Sequence, residues 1–158
     1  MMEWRKFNGQ KIKIPIDDMV ESAIISEIQL GNKLKICIGS DSQVKSGVTE
    51  FASVIVFVRE KKGGYMYFSS EITMQKMTLK ERMIKEVAMS VQLAYSLCHL
   101  LDKYHVELEV HADINTDPSF KSNIALKDAM GYILGMGFVF KAKPEAFASS
   151  CCADRVVQ

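Results

Sequence analysis

Several common signals are scarce in this chain, and each absence narrows the reading. No apolar run is long enough to span a membrane, so no membrane-spanning helix is expected. Met1-Met2-Glu3-Trp4-Arg5-Lys6 is not followed by an apolar stretch of the kind a secretory signal needs. The four cysteines, Cys37, Cys98, Cys151 and Cys152, form no CxxC pair. Without a secretory signal they read as reduced thiols, and a cytoplasmic protein is expected. Charge of one sign is not in excess: 20 Lys plus Arg against 19 Asp plus Glu. The strongly basic balance that announces a nucleic-acid binder is therefore absent, although a local basic patch can coexist with an acidic site. There is no internal repeat, linker or low-complexity tract.

What the chain does have is enough length and apolar content for one core. Its 158 residues with 48% hydrophobic content fit a single domain spanning 1–158, and its ten methionines suit flexible core filling.

Three carboxylates stand out by their surroundings. Asp41 follows the apolar run Lys35-Ile36-Cys37-Ile38-Gly39-Ser40, and Asp113 follows Leu108-Glu109-Val110-His111-Ala112. Asp154 sits in the small, largely uncharged stretch Ala148-Ser149-Ser150-Cys151-Cys152-Ala153. Charges are rarely buried unless paired or bound to metal. Three such acids, far apart in sequence, suggest a divalent-metal site if the fold gathers them. Taken singly, each has a plainer reading. Asp41 could cap a strand end, Asp113 could start an Asx turn toward Asn115 and Pro118, and Asp154 could pair with Arg155 or face solvent.

Hydrophobic periodicity predicts the order of elements. Residues 9–16 alternate and read as a short strand that Pro15 confines to an edge. Asp18 and Glu21 open a helix that stops near Gly31. Strands follow over 34–40, 51–59 and 65–72, with a hairpin turn at Lys61-Lys62-Gly63-Gly64. Thr78-Leu79-Lys80-Glu81 is a capping box opening a long helix to about Lys103. A fourth strand covers 106–112, a helix 122–134, a fifth strand 138–142, and a last helix contains Asp154. The expected fold is α/β: a five-stranded mixed sheet, three strands antiparallel and then two parallel, flanked by helices. Residues 1–33 form an N-terminal extension packed on it.

This order, with acids in Ser40-Asp41-Ser42, Lys85-Glu86-Val87, Ala112-Asp113-Ile114 and Ala153-Asp154-Arg155, resembles the ribonuclease H-like family. The resemblance covers roughly residues 34–158 and looks closest to its YkuK-type bacterial branch, known mainly as a predicted nuclease. It implies four acidic ligands, Asp41, Glu86, Asp113 and Asp154, holding two Mg²⁺ or Mn²⁺ ions about 4 Å apart. Asp41 would bridge the ions from a rigid strand, Asp113 would serve the ion beside the attacking water, Glu86 would hold the second ion, and Asp154 would complete the site. Glu81 competes with Glu86, but the capping box occupies Glu81, and small Ser90 one turn beyond Glu86 would leave room for a metal. The glycine-rich turn of the prototype ribonucleases H is replaced by Gln43-Val44-Lys45-Ser46-Gly47. Their assisting loop histidine and their tryptophan- and lysine-rich substrate handle have no clear counterpart. The resemblance thus implies the fold more than RNA/DNA-hybrid specificity.

Other polar residues carry plainer expectations. Asp117 precedes Pro118 and reads as turn chemistry. His99, His105 and His111 read as structural or surface residues, with His111 on the face of Asp113 if the strand runs that far. Cys151-Cys152 is too closely spaced for a zinc clamp. Lys141 and Lys143 read as solvated lysines that could touch a phosphate backbone.

The function so expected is a metal-dependent nuclease acting on RNA or DNA. The alternative is an inactive module of the same fold that binds nucleic acid or a protein partner. An unrelated enzyme with Ser40 or Ser42 as nucleophile ranks last, lacking a GxSxG elbow and a histidine partner. Near-neutral charge implies weak non-specific binding, so a protein partner or a homo-oligomer would supply affinity.

Overall fold

Alternation along the central strands sorts their side chains onto two differently covered faces. In a computed structural model describing residues 2–112, 124–142 and 144–158, six strands form one sheet. They are β1 (Trp4–Lys6), β2 (Leu34–Lys45), β3 (Val48–Arg59), β4 (Gly63–Thr73), β5 (Glu107–His111) and β6 (Val139–Lys141). Their order is β1-β4-β3-β2-β5-β6. β1, β4, β3 and β2 pair antiparallel, whereas β5 and β6 join parallel. Helices are α1 (Ile16–Gln29), α2 (Leu79–Lys103), α3 (Ile124–Gly135) and the one-turn α4 (Asp154–Val157), which continues a π-helical segment, Ala148–Ala153.

Ile36 and Ile38 of β2, with Ile55 and Phe57 of β3, point into the larger core. There they meet Val20 and Ile24 of α1, Val91, Ala94 and Leu97 of α2, and Ile133 of α3. The intervening residues Cys37, Val54 and Val56 face the other way and are covered by Ala148, Ala153 and Val156. The mixed α/β fold is as expected, with two differences in the sheet.

The sheet has six strands rather than five, and the extra strand is not residues 9–16. That segment folds back on β1 through an Arg5–Lys11 bridge and the Ile12 amide on the Trp4 carbonyl, and then Pro15 caps α1. Its alternation is real but only half used: Ile12 is buried and Ile14 is exposed. The second difference is length. β2 does not stop at residue 40 but runs to Lys45, because Ser46 and Gly47 both take positive φ (53° and 78°). This is the two-residue turn that matches strand twist and carries the hairpin straight into β3. The β3–β4 turn lies at 60–62, and Gly63 and Gly64 already belong to β4, opposite Arg59 and Val58.

Thr78 caps α2, its hydroxyl accepting the Glu81 amide at 3.1 Å, but this is only half of the expected capping box: the Glu81 carboxylate does not return to the Thr78 amide. Among the described residues no helix is long and apolar enough to cross a membrane.

Candidate active site

Pairing between β2 and β5 ends at Gly39 opposite His111, so β2 continues past the end of β5. Asp41 lies on that continuation. The start of α2 crosses one side of it, and the C-terminal segment covers the other. The cleft between them, ≈ 480 Å³, is lined by Asp41, Ser42, Arg82, Glu86, His111 and Asp154 among others. Three of the four expected acids therefore line one space. Asp113, like Asp117 and Lys143, lies outside the described residues; Ala112, which precedes it, also lines the cleft.

Ser42 joins the strand to the helix. Its amide donates to Oδ1 of Asp41 at 2.9 Å, and its hydroxyl donates to Oε2 of Glu86 at 3.1 Å. Arg82, one helical turn before Glu86, reaches the same hydroxyl at 3.5 Å. Glu86 is pushed up to about 7, first by burial and then by the negative charge of Asp41; Ser42 and Arg82 oppose the shift only in part. A hydrogen bond between Glu86 and Asp41 adds to it, since two carboxyls can share such a bond only if one keeps a proton. The pair is charge-frustrated at neutral pH. An all-oxygen set of this kind suits a hard divalent cation, which would replace the retained proton. Glu81, the competing acid, is exposed on the first turn of α2 and does not line the cleft.

Below the acids a buried hydroxyl chain fastens α2 to the sheet. Ser90 donates to Ser40 at 2.8 Å, and Ser40 lies 2.9 Å from Ser53 on β3. Ser90 is one turn beyond Glu86, so this contact sets how deeply Glu86 enters the cleft. The small side chain expected to leave room is thus a structural fastening. Its signal in the sequence was a polar residue on the buried stripe of α2.

The C-terminal segment approaches β2 through a missing side chain. A Cβ on Gly39 would lie 2.5 Å from the carbonyl carbon of Ala148 and the amide nitrogen of Ser149. The π-helical turn can rest on the strand only because that atom is absent. Asp154 follows the turn directly and accepts a hydrogen bond from Gln158 at 2.8 Å.

A second group of ligand-type atoms lies beneath the cleft: Cys37, Glu109 and His111, mutually within 4.8 Å. His111, expected to be structural, is fully buried. Its Nδ1 accepts the Ala148 amide at 3.0 Å, and its Nε2 lies 2.9 Å from Oε1 of Glu109, whose Oε2 meets Lys35 at 3.1 Å. Burial holds the imidazole below its usual pKa against the pull of Glu109. Burial also opposes ionisation of Glu109, but the bonds from His111 and Lys35 win and keep it charged. Burial pushes the Cys37 thiol up to about 12. A backbone amide can only donate, so Nδ1 is bare and the single ring proton sits on Nε2. Neither nitrogen is left for a metal.

The remaining candidates lie apart from the cleft lining. His99 is an exposed partner of the Tyr132 hydroxyl, and Lys141 meets Glu145 at 3.9 Å. Cys151 and Cys152 are free thiols, the first exposed.

Among solved structures, the chain is similar to the crystal structure of RNase H1 from the halophilic archaeon Halobacterium salinarum NRC-1. The two are 13% identical, the match covers 72% of this chain and 89% of that one, and the TM-score is 0.39. No curated protein matches. The family model described as Ribonuclease H-like matches residues 18–158. With that match over most of its length, the chain belongs to the ribonuclease H-like family.

Proposed function

We propose that this chain is a divalent-metal-dependent nuclease that hydrolyses phosphodiester bonds of RNA or DNA in the cytoplasm, and that it belongs to the YkuK-type bacterial branch of its family. Family membership supports the nuclease class. The observation that carries the reading is the Asp41–Glu86 pair, two carboxyls that both bond to Ser42, with burial and the charge of Asp41 pushing Glu86 up to about 7. A cation bound between the two carboxyls would relieve that repulsion. Asp41, Glu86, Asp113 and Asp154 would hold two ions, Mg²⁺ or Mn²⁺, which would supply an activated water and neutralise charge on the phosphate.

The side chains have separate tasks in this reading. Asp41 fixes the centre from β2. Glu86 would hold a cation in its deprotonated form. Ser42 keeps the two aligned, and Arg82 offers a guanidinium at the cleft wall where a phosphate oxygen would lie. The near-neutral net charge of +1 leaves general affinity to a protein partner or a second copy.

The test is cleavage of RNA/DNA hybrid, single-stranded RNA, single-stranded DNA and branched DNA with Mg²⁺ or Mn²⁺, comparing wild type with Asp41→Asn. Metal-dependent cleavage lost in Asp41→Asn is the expected result. No cleavage together with no Mn²⁺ binding would favour the inactive binding module instead.

A further inference from the structure

We propose that His111 is a positioning residue for this centre: with Gly39 it forms a seat that fixes the Ala148 amide, and thereby the segment that delivers Asp154. This rests on the metal-centre reading above.

Gly39 and His111 are direct partners across the β2–β5 pair. One contributes an absent Cβ, letting the Ala148–Ser149 peptide come down onto the strand. The other contributes a bare ring nitrogen that accepts the Ala148 amide at 3.0 Å. Ala148 opens the π-helical segment and is fully buried, and no local side chain caps that helix start. An amide there would be orphaned in an apolar setting, so an acceptor must come from elsewhere. His111 supplies it from the neighbouring strand.

The ring itself cannot swing. Nε2 is tied to Glu109, Glu109 is tied to Lys35, and the Phe147 ring stands edge-on to the imidazole with centroids 4.5 Å apart. Both nitrogens are engaged, which removes His111 from proton transfer and metal ligation and leaves it a fastening. The seat also has a fixed relation to the acids. Asp41 follows Gly39 by two residues on β2, and Asp113 follows His111 by two in the sequence. The seat thus lies one strand repeat before Asp41 on β2. Asp154, directly after the seated segment, takes its position from it.

The experiment compares wild type, His111→Asn and His111→Leu. Asparagine places an amide oxygen close to where Nδ1 was and retains an acceptor; leucine does not. Amide hydrogen exchange is read residue by residue, and Mn²⁺ affinity is measured by calorimetry with Asp154→Asn as reference. In His111→Leu, exchange over 148–154 should rise roughly ten- to hundredfold, as expected when a buried donor loses its acceptor, with β3 and β4 unchanged. Mn²⁺ affinity should fall about tenfold, matching Asp154→Asn, and His111→Asn should recover most of both losses. Unchanged exchange over 148–154, or equal behaviour of the leucine and asparagine variants, would overturn the proposal.

If wild type binds no Mn²⁺, the metal-centre reading fails and the exchange data alone decide whether His111 seats the segment. Should His111→Leu not fold, the wild-type ring decides. ¹⁵N spectra must show Nδ1 unprotonated and Nε2 protonated, and the reverse tautomer would overturn the proposal.

Discussion

Gly39 lies directly under Ala148: a single added carbon on Gly39 would sit 2.5 Å from the Ala148 carbonyl carbon and 2.9 Å from its Cβ. Neither partner has a flexible side chain that could move aside, so the contact tolerates no substitution without moving the C-terminal segment. Gly39→Ala should destabilise the protein by about 1–3 kcal/mol in urea unfolding. Gly131, in α3, has nothing within 4 Å of its would-be Cβ. Gly131→Ala should stabilise by about 0.5–1 kcal/mol through helix propensity. Equal effects of the two substitutions would contradict the close approach.

Glu86 predicts how stability depends on pH. Its ordinary value is 4.5, and in the folded protein it is pushed up to about 7. Between those values the folded state holds a proton that the unfolded state has released. The stabilisation is therefore complete below pH 4.5 and is lost as pH rises through about 7. Glu86→Gln, which cannot ionise, should remove this slope. Relative to wild type it should gain on the order of 2 kcal/mol at pH 8, after allowance for solvent in the cleft. Unfolding of both proteins in chelator from pH 4 to pH 8 measures it, and parallel curves would count against the frustrated pair.

Cation binding should release a proton from the same group. Near pH 7, Mn²⁺ titrated into wild type should give a binding heat that varies with buffer ionisation enthalpy, and in Glu86→Gln that dependence should vanish. A buffer-independent heat in wild type would mean that Glu86 is not displaced by the ion.

The two acids of α2 should separate cleanly. Glu81→Gln should keep metal-dependent cleavage, because Glu81 is exposed and its amide, not its carboxylate, engages Thr78. Glu86→Gln should lower it by at least two orders of magnitude, the scale on which loss of one transition-state charge interaction acts. The opposite pattern would reassign the helix ligand.

The serine chain predicts an order of severity. Ser90→Ala removes one hydrogen bond and leaves Ser40 with Ser53; Ser40→Ala strands both neighbours. Costs of about 1 and about 2–3 kcal/mol are expected from thermal unfolding. Equal costs would mean that the hydroxyls act independently.

The sequence made the acids legible because of their neighbours: an Asp after Ile36-Cys37-Ile38 or among alanines and cysteines is conspicuous. It made the long helix legible because Thr78 and Glu81 announce it. What it concealed depends on pairs meeting across the fold. Gly39 reads as a weak strand residue until Ala148 is set beside it. His111 reads as one histidine among three until the Ala148 amide finds its ring. Ser90 reads as a gap rather than a tether, because its partner is 50 residues away. The strand expected over 9–16 failed for a related reason: alternation marks a chain suited to a sheet but supplies no neighbour, and β1 offers only three residues.

Those three residues have a counterpart. The sheet is bounded at one edge by β1 and at the other by β6, each three residues long, and both edges carry basic side chains: Arg5, Lys6 and Lys141. At the first edge Lys11 and Ile12 already pair with Arg5 and Trp4, and at the second β6 offers an incoming strand only three residues. The twelve-residue β3 lies inside, hydrogen-bonded to β2 and β4. The strand that carries Asp41 therefore lies inside the sheet, away from the edges at which a strand of another chain could add.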